Sequence, residues 1–200
     1  AAGEWVVDLR HRKAYLDSHL TGTVSLGLDG PMATWLGWMA PHDAPITLLG
    51  EDRAQVAQAQ RELVRIGVDH VVASATGEPE ELADDAGQVV GLPSAGFADL
   101  AAELSGARAT DLPPAQVVLD VRLGSEWDAS HVRGAVHIPL PELDGRLAEV
   151  PDGAVWVHCG SGYRATAAAS LLARAGRTVV VVDDLFADAA DAGVPLTGPA

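Results

Sequence analysis

The sequence predicts an α/β chain made of two similar domains, each a parallel sheet with helices on both faces. Two observations carry this expectation. The chain repeats itself with a period near 110 residues, which makes each copy domain-sized rather than a solenoid unit. Within each copy, short apolar strand-like runs alternate with helix-forming stretches, the pattern of a parallel sheet covered by helices.

The repeat is read residue by residue. Asp8, Arg10, His19, Gly22 and Val24 reappear 112 positions later as Asp120, Arg122, His131, Gly134 and Val136. Leu63, Arg65 and Gly67 reappear 109 positions later as Leu172, Arg174 and Gly176. The middle of the first copy is therefore three residues longer. The first domain is placed at residues 1–84 and the second at 95–200. The Gly- and acid-bearing segment 84–93 is expected to be a linker, because its Leu92-Pro93-Ser94 step reads as loop.

In the second copy, residues 117–121, 155–158 and 179–182 are short β-branched strands. Residues 165–175 are rich in alanine and leucine and predict a helix, with Gly176 placed to close it. The first copy repeats the plan, with strands at 5–9, 46–49 and near 70–73 and a helix near 54–66. Trp35 and Trp38 stand three apart in the extra length of the first copy, and core packing or a seam between domains is expected of them.

Composition bounds the function. The formal net charge is -15, with 28 acidic against 13 basic residues, so nucleic acid and anionic membrane are poor partners. No run of about 18 apolar residues exists to span a membrane. The start, Ala1-Ala2-Gly3-Glu4-Trp5, lacks the basic and apolar regions of a signal peptide and enters a strand almost at once, as in a fragment of something longer. The single cysteine cannot form an internal disulfide or a Cys-rich zinc site, which favours a reducing compartment. A cytoplasmic protein without metal or cofactor is expected.

That cysteine carries the chemistry. Cys159 opens the loop Cys159-Gly160-Ser161-Gly162-Tyr163-Arg164, between the strand ending at His158 and the helix that follows. In open α/β folds the carboxyl end of a strand is where ligands bind. Glycines let backbone N–H groups turn around one centre, and the helix adds its positive N-terminal end. Such surroundings lower cysteine pKa values to about 3.5–7.5 in known cases, and Arg164 adds a permanent positive charge. A cradle of this kind accepts any anion, so loop size matters. The phosphatase pattern His-Cys-x5-Arg holds a phosphoryl group, whereas only four residues separate Cys159 from Arg164. The shorter ring favours a persulfide sulfur.

Asp120-Val121-Arg122, Glu126-Trp127, His131-Val132-Arg133-Gly134-Ala135, His137-Ile138-Pro139 and the Cys159 loop together resemble a rhodanese domain over about residues 95–200. The resemblance implies sulfur transfer. Sulfane sulfur passes from thiosulfate or a thiol persulfide to Cys159, then to a nucleophilic acceptor such as a thiol or cyanide. Gly160, Ser161, Gly162, Tyr163 and Arg164 would bind substrate. The C-terminal part departs from the family, with Asp184-Leu185-Phe186 and Ala189 where Gly-Gly-Phe and a tryptophan are usual. The first copy resembles an inactive rhodanese-like domain: Gly50 stands opposite Cys159, and Glu51 and Asp52 stand opposite Gly160 and Ser161. The order of an inactive and an active copy is similar to tandem rhodanese domains attached to a metallo-β-lactamase fold. The resemblance thus implies a fused or associated domain of that kind, although its His-x-His-x-Asp-His motif is absent here.

The repeat also sorts the residues. Asp8, Arg10, His19 and Gly22 persist in the copy that lacks the cysteine, so Asp120, Arg122, His131 and Gly134 are read as fold-maintaining. Asp120 and Arg122 lie two apart and share a strand face, which suits an ion pair or backbone bonding. His158 is read as a structural strand residue. Two other functions compete with sulfur transfer: a cysteine-dependent phosphatase or arsenate reductase, and a non-catalytic module that docks a sulfur carrier.

Overall fold

The computed structural model describes residues 3–107 and 110–198. Residues 1, 2, 108, 109, 199 and 200, which belong to the expected spans 1–84 and 95–200, lie outside the described residues. The chain divides into two compact units, Ala1–Gly91 and Leu92–Ala200.

The first unit runs β1 (Trp5–Asp8), α1 (Arg12–Asp17), β2 (His19–Leu20), β3 (Val24–Ser25), α2 (Met32–Met39), β4 (Ile46–Gly50), α3 (Arg53–Arg65), β5 (Val71–Thr76), α4 (Pro79–Leu82) and β6 (Val89–Val90). Its main sheet is parallel, in the order β3-β1-β4-β5. Val7 and Leu48, neighbours in register, are fully buried. Asp52 caps α3 by accepting the Gln55 N–H at 2.8 Å. Trp35 packs in the core of this unit, while Trp38, edge-on to it at 5.3 Å, is exposed. Part of the segment expected as linker belongs to this unit: β6 pairs antiparallel with β2, after a 3-10 turn at Ala86–Gln88. Two-residue strands carry no periodic sequence signal, which is why the pairing was not foreseen.

The second unit runs β7 (Ser94–Ala95), α5 (Phe97–Ser105), β8 (Val117–Asp120), α6 (Gly124–Ala129), β9 (His131–Val132), β10 (Val136–His137), α7 (Leu140–Leu143), β11 (Val155–His158), α8 (Tyr163–Arg174), β12 (Val179–Val182) and β13 (Leu196–Thr197). Its parallel sheet has the order β10-β8-β11-β12-β7, and β13 pairs antiparallel with β9. The central strands β8, β11 and β12 are buried throughout, as their unbroken valine-rich runs require. On one sheet face, Val118, Trp156, Val180 and Val182 pack with Phe97 and Leu100 of α5. The Trp156 indole N–H donates to the Pro113 carbonyl at 2.9 Å. At its C-terminal end α8 closes through Gly176, whose φ of 79° is the left-handed conformation that ends helices.

The two main sheets share the strand order of their four corresponding strands, but their cover differs. Val6 and Thr47 stand at the repeat positions of Val118 and Trp156, and both are only half-buried. In the second unit α5, which precedes β8 in the chain, covers that face. The sequence matches this difference: a threonine, hydrogen-bonded to Glu4 at 2.7 Å, replaces the buried tryptophan.

Both units contain the same buried fork. Arg122 donates to the Asp120 carboxylate from its backbone N–H (2.9 Å), Nε (3.0 Å) and Nη2 (2.6 Å). Nη2 also reaches the Ser130 carbonyl at 2.7 Å. Arg10 bonds Asp8 in the same way, and its Nη2 donates to the Ser18 carbonyl at 2.7 Å. Removing one partner of a buried pair strands the other charge, at a cost of about 3–5 kcal/mol. Asp8→Ala is therefore expected to destabilise the protein by about 3–5 kcal/mol in urea unfolding. A loss below about 1 kcal/mol would show that the fork does not hold the turn after β1.

Candidate active site

Cys159 follows directly on β11 and is 1% exposed. The loop after it is shorter than expected: α8 begins at Tyr163, so Tyr163 and Arg164 lie in the first helical turn rather than in the loop. Gly162 immediately precedes the helix with φ 92° and ψ -36°, a conformation that L side chains avoid, so a glycine is required there. Its carbonyl accepts from both the backbone N–H (2.9 Å) and Oγ1 (3.0 Å) of Thr166, which locks the turn. Among the described residues, the backbone N–H groups of Gly160, Ser161 and Gly162 donate to no protein acceptor.

Arg164 is held by a residue that sequence reasoning placed only in a motif. Its Nη1 and Nη2 donate to Glu126 Oε2 (2.5 Å) and Oε1 (2.8 Å), a bidentate pair between α8 and α6. Glu126 Oε2 also accepts from the Leu123 N–H at 3.1 Å, at the start of α6. The Arg164 guanidinium holds the Glu126 carboxyl below the usual carboxylate range. In turn Glu126, and then the Cys159 sulfur within hydrogen-bond reach, keep Arg164 charged. A Cβ on Gly160 would lie 3.0 Å from Arg164 Nη2 and 3.6 Å from Glu126 Oε1, so the pair closes over the glycine of the loop.

A third element fixes the loop from the other side. The Phe186 N–H, just after β12, donates to the Gly160 carbonyl at 3.0 Å. The Phe186 ring lies 3.6 Å from the Arg122 guanidinium carbon and stacks on His158, with centroids 5.5 Å apart. Phe186 thus links the Asp120–Arg122 fork to the Cys159 loop. Its place in the departing Asp184-Leu185-Phe186 stretch was visible in the sequence, but its contacts were not.

Asp120, Arg122 and His131 lie beneath or beside the loop rather than in it. His131 Nδ1 is 3.0 Å from the Trp127 carbonyl and its ring stacks on Trp127, as His19 does on Tyr15 in the first unit. His137 stacks on the other end of the same arrangement, and its Nε2 lies 2.9 Å from the Arg122 carbonyl.

His158 is fully buried, edge-on to Phe97 and 3.6 Å from Asp120 Oδ2, and neither ring nitrogen makes a hydrogen bond among the described residues. Burial pushes its pKa down to about 4, against the opposing pull of Asp120. The Cys159 backbone lies near enough to oppose that shift without reaching hydrogen-bond geometry.

In the corresponding loop of the first unit one donor is taken and the helix starts a residue earlier, at Arg53, the repeat position of Gly162. The Glu51 N–H donates to Gln55 Oε1 at 2.7 Å, and Gln55 stands at the position of Arg164. Gly50 takes the place of Cys159, and Glu78, 3.5 Å from Arg10, lies against the fork where Phe186 covers Arg122.

A neutral, buried His158 makes stability pH-dependent with a definite sign. Its unfolded pKa is near 6.5, so between pH 6.5 and 4 the unfolded chain binds a proton that the folded protein refuses. Stability from this group is level above about pH 6.5 and falls as pH drops toward 4, by about 3 kcal/mol in all. His19, also lowered by burial, adds to the same slope. His158→Phe is expected to flatten the slope of unfolding free energy against pH by about one proton in that window. An unchanged slope would remove His158 from the account.

Residues 98–188 match the model of the rhodanese-like domain. Three curated proteins are similar to the chain over shorter stretches. The HTH-type transcriptional regulator Rv0324 of Mycobacterium tuberculosis is 37% identical over 82 residues, 40% of this chain and 36% of that protein. The putative sulfur carrier protein YrkF of Bacillus subtilis is 35% identical over 65 residues, 32% of this chain and 35% of that protein. Thiosulfate sulfurtransferase PspE of Escherichia coli is 38% identical over 65 residues, 31% of this chain and 62% of that protein. The chain thus spans about a third of the length of the first two and less than two thirds of the third. Cys159, its loop, the Asp120–Arg122 fork and Glu126 all fall inside the stretch that matches the rhodanese-like domain.

Proposed function

We propose that the protein is a rhodanese-type sulfurtransferase that carries sulfane sulfur as a persulfide on Cys159 and passes it to a thiol- or cyanide-type acceptor. The observation that carries this reading is the contrast between the two loops. Three consecutive N–H groups after Cys159 have no protein acceptor among the described residues, while the first N–H of the equivalent loop is taken by a side chain. Donors fixed in advance around a buried sulfur stabilise negative charge without reorganising when it forms. Cys159 acts as nucleophile, Gly160 to Gly162 supply N–H groups to the outer sulfur, and Gly162 sets the turn. Arg164, steadied by Glu126, stands beside the sulfur. Asp120, Arg122 and His131 support the turn that carries α6.

In the same reading the first unit is an inactive rhodanese-like copy of the second. Its fork, its histidine stacked on the preceding helix and its strand order persist, while Gly50 stands in the nucleophile's place. The name of PspE describes thiosulfate sulfur transfer and that of YrkF a sulfur carrier, and both activities fit a cysteine that holds sulfur between donor and acceptor.

Intact-mass measurement tests the reading directly. Treated with a sulfane-sulfur donor, the protein is expected to gain the mass of one sulfur atom and to lose it again to cyanide. Cys159→Ser should fold as the parent does and gain nothing, because no second thiol exists. Sulfur uptake that survives in Cys159→Ser, or none in the parent, would end the proposal.

A further inference from the structure

We propose that the Cys159 site selects sulfur donors of low negative charge, with thiol persulfides as the donor class, and disfavours the thiosulfate dianion. This rests on sulfur transfer at Cys159 and goes further by naming the donor.

The argument is a count of charges around one sulfur. Arg164 is the one basic residue in the loop and first helical turn, and its two terminal nitrogens both donate to the Glu126 carboxylate. With Cys159 as thiolate, these three groups carry a net charge of about -1 before any donor arrives. Arg122, the other nearby guanidinium, is balanced by Asp120 and gives its remaining reach to the Ser130 carbonyl. The segment that Phe186 pins against Gly160 brings a further carboxylate, Asp184. Asp184 is itself committed to the N–H groups of Phe97 and Leu185, which holds it in place rather than neutralising it. The second unit contains no lysine, and Arg177 donates to the Val150 and Pro151 carbonyls. Its Arg146 and Arg174 pair with Glu142, Glu149 and Asp144 elsewhere on the unit.

Thiosulfate brings two negative charges to this site, and each close like-charge pair works against binding. A thiol persulfide in its protonated form brings none. The step balances without an oxidant. The Cys159 thiolate attacks the outer sulfur of R–S–SH, a new S–S bond forms, and the bond to the inner sulfur breaks. R–S⁻ leaves with the bonding pair, the proton stays on the transferred sulfur, and the total charge is unchanged.

The test uses the full chain and two donors of the same chemistry, thiosulfate (two charges) and methanethiosulfonate (one charge), with Cys159 loading followed by intact mass. Raising ionic strength from about 0.01 to 0.5 M should screen the repulsion. Thiosulfate loading should then rise several-fold, and methanethiosulfonate loading by clearly less. Glu126→Gln removes one negative charge and keeps an acceptor for Arg164 and for Leu123. It should shift the ratio of loading rates toward thiosulfate by about tenfold. The persulfide of 2-mercaptoethanol should load the parent faster than thiosulfate does.

If salt slows thiosulfate loading, or the ratio is unmoved in Glu126→Gln, charge selection is overturned while sulfur transfer stands. If neither donor nor the persulfide loads Cys159, sulfur transfer itself fails and this inference with it. Should Glu126→Gln not fold, the salt dependence of the unmodified protein decides alone.

Discussion

The buried carboxylate–guanidinium fork between Asp120 and Arg122 is the contact from which the rest of the second unit's site is placed. It forms where β8 ends, and it turns an arginine back onto the strand just left. Through the Ser130 carbonyl the same guanidinium fixes the far end of α6. That helix carries Glu126, Glu126 holds Arg164, and Arg164 stands beside the sulfur. The ring of Phe186 covers the guanidinium, and its backbone holds Gly160. A pair this deeply buried contributes little net stability over apolar packing, but it tolerates few alternative geometries. Its service here is positional.

The first unit keeps that framework without a cysteine. It has the same fork, the same bond to a carbonyl eight residues on, and the same histidine stacked on the helix before it. What changes is confined to the parts that touch the loop. Glycine replaces cysteine, Gln55 satisfies a loop N–H, and a glutamate replaces the aromatic ring against the fork. A scaffold and its site can thus diverge separately, since the fork touches the loop through a few side chains, Glu126, Phe186 and His158 among them.

Much of this was legible in the residues. Unbroken runs such as Val179–Val182 specify buried parallel strands, and Asp-x-Arg repeated in both copies marked a structural pair before any contact was seen. The position of Cys159 followed from the strand–glycine–helix pattern around it. The rest depended on contacts between residues far apart in the chain. Glu126 and Arg164 are 38 residues apart on different helices, and nothing in either local pattern points to the other. Arg164 read as a free cation at a loop rim, whereas the helix starts one residue before it and its charge is already matched. The strand at Val89–Val90 escaped for a different reason: its two residues pair with Leu20 and His19, far earlier in the chain, over too short a stretch to show alternation.

The burial of Cys159 has a consequence for how the protein meets reagents of any kind. A side chain 1% exposed cannot be reached by a bulky electrophile while the loop is closed, so such a reagent reacts only through transient openings. Because the chain has a single thiol, the rate of that reaction reports one local event and no other. The cysteine is therefore a built-in clock for the opening of its own loop. With openings fast relative to labelling, the clock reads the free energy of opening; with labelling faster, it reads the opening rate itself.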